Sequence, residues 1–149
     1  MTDKFIGRGW AFPVHADSVT GAIALVSKDR EIAESIRLIL GTSYGERPMR
    51  PEFGCAINDY IFAPADVGTA GLLAYEVKKS LDRWEPRIRL LGVDVSLDPV
   101  ERSKFYIDIS YAIRPDNDPR NLVFPFYVIP VEEGGEGPDV ASTPLTKVE

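Results

Sequence analysis

Residues 67–113 read VGTAGLLAYEVKKSLDRWEPRIRLLGVDVSLDPVERSKFYIDISYAI, and the hydrophobic period changes once inside them. Before the change, Val67, Ala70, Ala74, Val77, Leu81 and Trp84 recur at alternating steps of three and four, which draws one continuous apolar seam along a helix. Pro86 biases Glu85 toward extended backbone, so the helix is expected to end at about Trp84. After it the period is two. Leu91, Val93, Val95 and Leu97 alternate with Asp94, Ser96 and Asp98; beyond a turn at Pro99, Phe105, Ile107, Ile109, Tyr111 and Ile113 alternate with Lys104, Asp108, Ser110 and Arg114. Two such runs make an antiparallel hairpin with one buried face. Ile88 and Leu90 fall out of phase with Leu91, which places a bend or bulge near Leu90–Gly92.

Toward the C-terminus, Leu122–Ile129 differs from the hairpin because both alternating sets are apolar: Leu122, Phe124, Phe126 and Val128 on one side, Val123, Tyr127 and Ile129 on the other. Pro125 cannot donate a ladder hydrogen bond, so this strand belongs at an edge or carries an irregularity. An edge strand apolar on both sides invites another chain to complete it. From Glu132 the sequence is acidic and punctuated by glycine and proline, the pattern of a mobile tail.

Toward the N-terminus, Ile32, Ala33, Ile36, Ile39 and Leu40 lie on one helical face opposite Arg30, Glu34 and Arg37. Ser27 or Asp29 can cap that helix, and Gly41 suits a left-handed residue after its last turn. Residues 42–64 hold prolines at 48, 51 and 64 and read as a structured loop, with a short helical turn near Cys55–Phe62. The start of the chain reads as an irregular arm running into one weak strand or ordered loop at Ala22–Val26. These readings add up to an α+β fold: two main helices packed on a small antiparallel sheet of about three strands. The expected organisation is an N-terminal arm at 1–22, a domain at 23–130 and a flexible acidic tail at 131–149.

With 149 residues, 44% of them apolar and 27% charged, the chain fits one domain with a real core and no need of cross-links. A net charge of −6 opposes loose attraction to nucleic acid or an anionic membrane. A single cysteine, Cys55, closes no internal disulfide. No run approaches the ~18 apolar residues of a spanning helix, and the start lacks a secretory pattern, so synthesis in the cytoplasm without membrane insertion is expected. Glycines at 7, 9, 41, 45 and 54 match neither a phosphate cradle nor a dinucleotide turn, and no cofactor is implied.

Catalytic constellations are thin. His15 sits in PVHAD, where a site with Asp17 or Cys55 is the weak alternative to a packing or surface role, and one histidine builds no multi-histidine metal centre. Glu52, Asp59 and Glu85 could supply a carboxylate pair for glycoside hydrolysis, but Arg87 two residues from Glu85 would lower its pKa and suit an ion pair better than a general acid. No catalytic or metal-binding residue is therefore assigned. Two dense clusters remain, GERPMRPEFG at 45–54 and WEPRI at 84–88. Prolines in both fix the backbone, and the expectation is that Arg47 or Arg50 meets Glu85 and Arg87 a neighbouring carboxylate, in bidentate pairs that make a rigid docking face.

In its order of an amphipathic helix, GERPMRPEFG, a second helix, WEPRI and a strand-rich end, the sequence over about 23–129 resembles the lysozyme-like baseplate wedge, or sheath-initiator, family of contractile phage tails and related injection systems. The resemblance implies a structural protein present in several copies about the particle axis. It would touch baseplate wedge proteins and the central hub and tube, and present a small sheet on which the sheath protein pairs its first strands. It links the triplet Glu85, Pro86 and Arg87 to docking. On this reading the partner-binding residues are Arg47, Arg50, Glu85, Pro86 and Arg87, with Leu122, Phe124, Phe126 and Val128 on the sheath-facing sheet. A peptidoglycan-cleaving hydrolase is the alternative.

Overall fold

A computed structural model of the chain describes residues 7–27, 29–114 and 118–129. The tail expected at 131–149 and the first six residues of the arm lie outside these. The elements run in the order β1 (Arg8–Trp10), β2 (Leu25–Ser27), α1 (Asp29–Gly41), a 3-10 turn (Ala56–Tyr60), α2 (Val67–Trp84), β3 (Ile88–Leu97), β4 (Lys104–Ile113) and β5 (Asp118–Tyr127). The last three form one antiparallel sheet in the order β3-β4-β5. This is the mixed α+β architecture expected from the two periods.

The core lies between that sheet and the two helices. Ile32, Ile36, Ile39 and Leu40 of α1, Leu73, Val77 and Leu81 of α2, and Phe105, Ile107 and Ile109 of β4 are fully or almost fully buried in one cluster. Each such side chain is worth about 1.5–3 kcal/mol when removed from water. β4 is the central strand, which is why its inward set is the most completely covered. Between Leu90 and Gly92 the β3–β4 register slips, two residues facing Ser110, so Leu91 turns outward and Ile88 and Leu90 keep contact with the core.

Three local expectations need correction. Val67 opens α2 but is 86% exposed, and Leu73, nearly two turns on, is fully buried; the N-terminal turn is held instead by Asp66, whose side chain accepts from the Thr69 N–H. Gly41 closes α1 without a positive φ. There the Thr42 hydroxyl donates to the Leu38 carbonyl at 2.6 Å, satisfying a terminal acceptor that a left-handed glycine would otherwise serve. Asp29 is the first residue of α1 and pairs with Arg120 of β5 at 2.8 Å. The start of the chain is also more regular than expected: β1 pairs with β2 in an antiparallel ribbon, and a bridge joins Ala16 to Ile23.

The glycine that matters is Gly54. Its φ is +121°, and a Cβ there would collide with the Thr42 carbonyl oxygen, the acceptor of the Cys55 N–H that clasps the two ends of the 42–55 loop. Gly54→Ala should cost at least about 3 kcal/mol, against about 1–2 kcal/mol for Gly45→Ala, which shares a positive φ but faces open space. Urea unfolding of the two variants measures the difference; equal losses would contradict the clasp.

Candidate functional site

The turn between α2 and β3 is built around a buried carboxylate. Glu85 follows the last residue of α2, its N–H still bonded to the Leu81 carbonyl, and only 2% of it is exposed. An ionised group so placed needs partners. Arg87 provides a two-pronged one: its Nε donates to Oε1 at 2.7 Å and its Nη2 to Oε2 at 2.8 Å. Ser35 of α1 donates to Oε2 at 2.6 Å. The remaining arm of the guanidinium, Nη1, donates to Glu31 Oε1 at 2.7 Å. Glu31 and Ser35 stand four residues apart on α1, hence on one face, so a single arginine ties the first helix to the junction of the second helix with the sheet.

Electrostatics follow from this geometry. Burial alone would raise the Glu85 pKa, but the hydrogen bonds from Arg87 and Ser35 and the charge of Arg87 hold it below the ordinary glutamate range. Glu85 in turn holds the guanidinium firmly protonated. Arg87 is about one-third exposed, and three of its five N–H donors are used among the described residues.

Arg87 thus meets a neighbouring carboxylate, as the sequence leads one to expect, whereas Arg47 and Arg50 do not reach Glu85. The Arg47 guanidinium lies over the Phe53 ring at 4.1 Å, Phe53 packs on Trp84 at 5.1 Å between ring centroids, and Arg83 covers Trp84 at 5.0 Å. The two clusters therefore join through a tilted aromatic pair flanked by two arginines. Arg50 and Met49 stand exposed at the tip of the loop, and Pro86 is exposed at the turn. Glu31 and Ser35 escape a reading of α1 that pairs only Arg30, Glu34 and Arg37 against the apolar stripe; the signal is two polar residues flanking Ile32 and Ile36 at the same spacing.

The hydrolytic candidates do not converge. Glu52 and Asp59 are exposed while Glu85 is buried and ionised. His15 is exposed and bonds the Pro13 carbonyl, and Cys55 is buried, which pushes its thiol pKa up.

On β5 the two apolar sets separate. Leu122, Phe126 and Val128 are buried and Phe124, partly buried, packs against the same core. This burial follows from register: residues facing Ile109, Ile107 and Phe105 of β4 share their buried face. Val123, Tyr127 and Ile129 face outward and are about half exposed. β5 does lie at the sheet edge, as Pro125 requires.

A small α+β domain with a locked polar corner, an exposed arginine loop and a short open sheet is a scaffold for assembly. A model of the family described as baseplate wedge protein gp25 matches residues 26–118, and the chain belongs to that family. It is 36% identical over 66 residues to baseplate wedge protein gp25 of Enterobacteria phage T4, a match covering 44% of this chain and half of that protein. Among solved structures, a Geobacter sulfurreducens chain under a provisional tail-lysozyme label is 49% identical, with a TM-score of 0.66 over 72% of this chain and 97% of that one. A chain of the anti-feeding prophage baseplate, 24% identical, shares the fold at a TM-score of 0.61 over 85% of this chain and 89% of its own.

Because the folded-state pKa of Glu85 is depressed, its contribution to stability is complete above the ordinary value of 4.5 and is lost as pH falls through the depressed one. Glu85→Gln should therefore flatten the acid limb of a stability–pH curve. An unchanged limb would contradict the charge assignment. Arg87→Ala, which strands a buried carboxylate, should cost about 2–4 kcal/mol in urea unfolding; a loss under about 0.5 kcal/mol would show that the fork holds nothing.

Proposed function

We infer that this chain is a non-enzymatic structural subunit of the baseplate of a contractile tail or injection particle. It docks to wedge subunits and starts sheath polymerisation by accepting a strand from the sheath protein. Family membership supports the baseplate role. The observation that carries the finer reading is the sheet itself: three ten-residue strands with edges at β3 and β5 that no described strand covers. Main-chain hydrogen bonds along such an edge give direction and register to an incoming segment. Several copies about the axis, with contacts to hub and tube proteins, would then offer a ring of such edges. Assembly takes place in the cytoplasm on this reading, and the assembling domain is residues 23–130, with β1 adding strand pairs to it from the arm.

Docking falls to the corner of α2 and β3 and the neighbouring loop. Glu85, Pro86 and Arg87 set its shape, Arg47 is held in place by Phe53, and Arg50 stands exposed at the loop tip with no side-chain hydrogen bond or ion pair among the described residues. The provisional lysozyme label of the Geobacter relative keeps a peptidoglycan hydrolase as the alternative. A general acid, however, needs a raised pKa, and Glu85 has a lowered one. Cell-wall turbidity assays with the purified chain and Glu52→Gln separate the two: no clearing is expected, and clearing lost in the variant would overturn the structural role.

Two further outcomes are expected. Arg50→Ala should change stability by no more than about 0.5 kcal/mol yet lower the yield of complete particles; wild-type yield would remove Arg50 from the docking face. Particles assembled without this chain should show naked tubes in negative stain, and full-length sheaths would contradict sheath initiation.

A further inference from the structure

The two edges of the sheet are chemically unequal. The Val128 N–H bonds the Ser103 carbonyl, which fixes the parity of β5: even-numbered residues exchange hydrogen bonds with β4, and odd-numbered ones direct N–H and C=O away from it. The outward positions of β5 are therefore 119, 121, 123, 125 and 127. Two of them, Pro119 and Pro125, have no N–H to give. Just past the strand, the outward N–H of Ile129 is already bonded to the Ile61 carbonyl at 2.7 Å. Such an edge is blunted.

β3 is the opposite case. The Asp98 N–H bonds the Lys104 carbonyl, so residues 96 and 94 face β4, while Val93, Val95 and Leu97 direct their peptide groups outward. No proline interrupts β3, and no described residue bonds these three N–H groups. Beside the edge runs an open groove of about 280 Å³ between β3 and α2, with Tyr75, Lys78, Leu90, Leu91 and Val93 in its walls. Tyr75 and Leu91 are more than half exposed, and Lys78 has no carboxylate partner among the described residues.

Resting on the reading that a neighbour completes this sheet, we propose that the incoming strand adds to β3 along Val93–Leu97 and not to β5. It is a proline-free extended segment of another chain, with apolar side chains toward Tyr75 and an acidic side chain for Lys78. Five residues of pairing, about 14 Å, fit before the bulge at Leu91 turns the edge away. This chain's own C-terminal sequence is the wrong occupant. It departs from the β5 side of the sheet, and its glycines at 134, 135 and 137 and prolines at 138 and 144 leave no run with the alternation of β4.

Hydrogen exchange of the free chain and of the chain assembled with the sheath subunit of the same particle tests this without any substitution. Exchange at Val93, Val95 and Leu97 should slow at least tenfold on assembly, with Val123 and Tyr127 unchanged. Protection at Val123 and Tyr127 instead would overturn the choice of edge while leaving strand addition intact. Protection at neither edge in a stable complex would sink strand addition itself. Paired variants give the same contrast: Val95→Pro, which removes only an outward N–H as Pro125 already does, should abolish sheath assembly on a chain that melts cooperatively, and Val123→Pro should not. Sheath growth on Val95→Pro, or its loss with both variants, counts against the assignment.

Discussion

A carboxylate 2% exposed cannot stay ionised unaided, and the fold is arranged so that Glu85 never has to. The forked guanidinium of Arg87 meets it from two residues away, Pro86 between them limits the backbone paths that allow this, and Ser35 closes the remaining oxygen. Because Arg87 also holds Glu31, the angle between α1, the end of α2 and the start of β3 is set by one side chain. The main chain adds its own clamp: the Arg87 carbonyl accepts from the Arg114 N–H, and the Ile88 carbonyl from Arg114 Nε, so the corner is stitched to the far end of β4. Whatever β3 offers to a neighbour is offered at the angle this corner fixes.

From that corner outward the chain divides its labour. The face of the sheet toward the helices is closed by the core, and the loop at 45–54 is anchored by Arg47 on Phe53 and Phe53 on Trp84, which sits one residue before Glu85. Loop, helix end and sheet are therefore one mechanical unit. Each main-chain hydrogen bond that an added strand makes contributes only about 0.5–1.5 kcal/mol net, so a five-residue pairing alone is a modest attachment. Apolar cover over Tyr75 and Leu91, repeated around a ring of copies, is what would make it firm.

Much of this was legible in the sequence, and the reasons are physical. The change of period at Glu85–Pro86 is visible because a helix and a half-buried strand impose different spacings on the same apolar residues, and the mismatch of Ile88 and Leu90 with Leu91 disclosed the bulge. Pro125 put β5 at an edge. Tertiary choices were hidden. Whether Leu73 or Val67 fills the core depends on how far α2 is rotated, and seam counting does not settle that. β1 escaped notice because three residues carry no period. Arg47, Arg50 and Arg87 look alike in composition, and only the fold reveals that one meets a carboxylate, one lies over a ring and one stands exposed at a loop tip. On β5 the two apolar sets were separable by alternation, but which set faced inward rested on the register with β4.

The most direct measurement is a cryo-EM map of the assembled baseplate with its first sheath ring, at a resolution that traces main chain. It should show a strand from a neighbouring subunit hydrogen-bonded alongside Val93–Leu97, with Arg87 still forked on Glu85. A map in which both outer strands of the sheet face only solvent or their own chain would contradict the account.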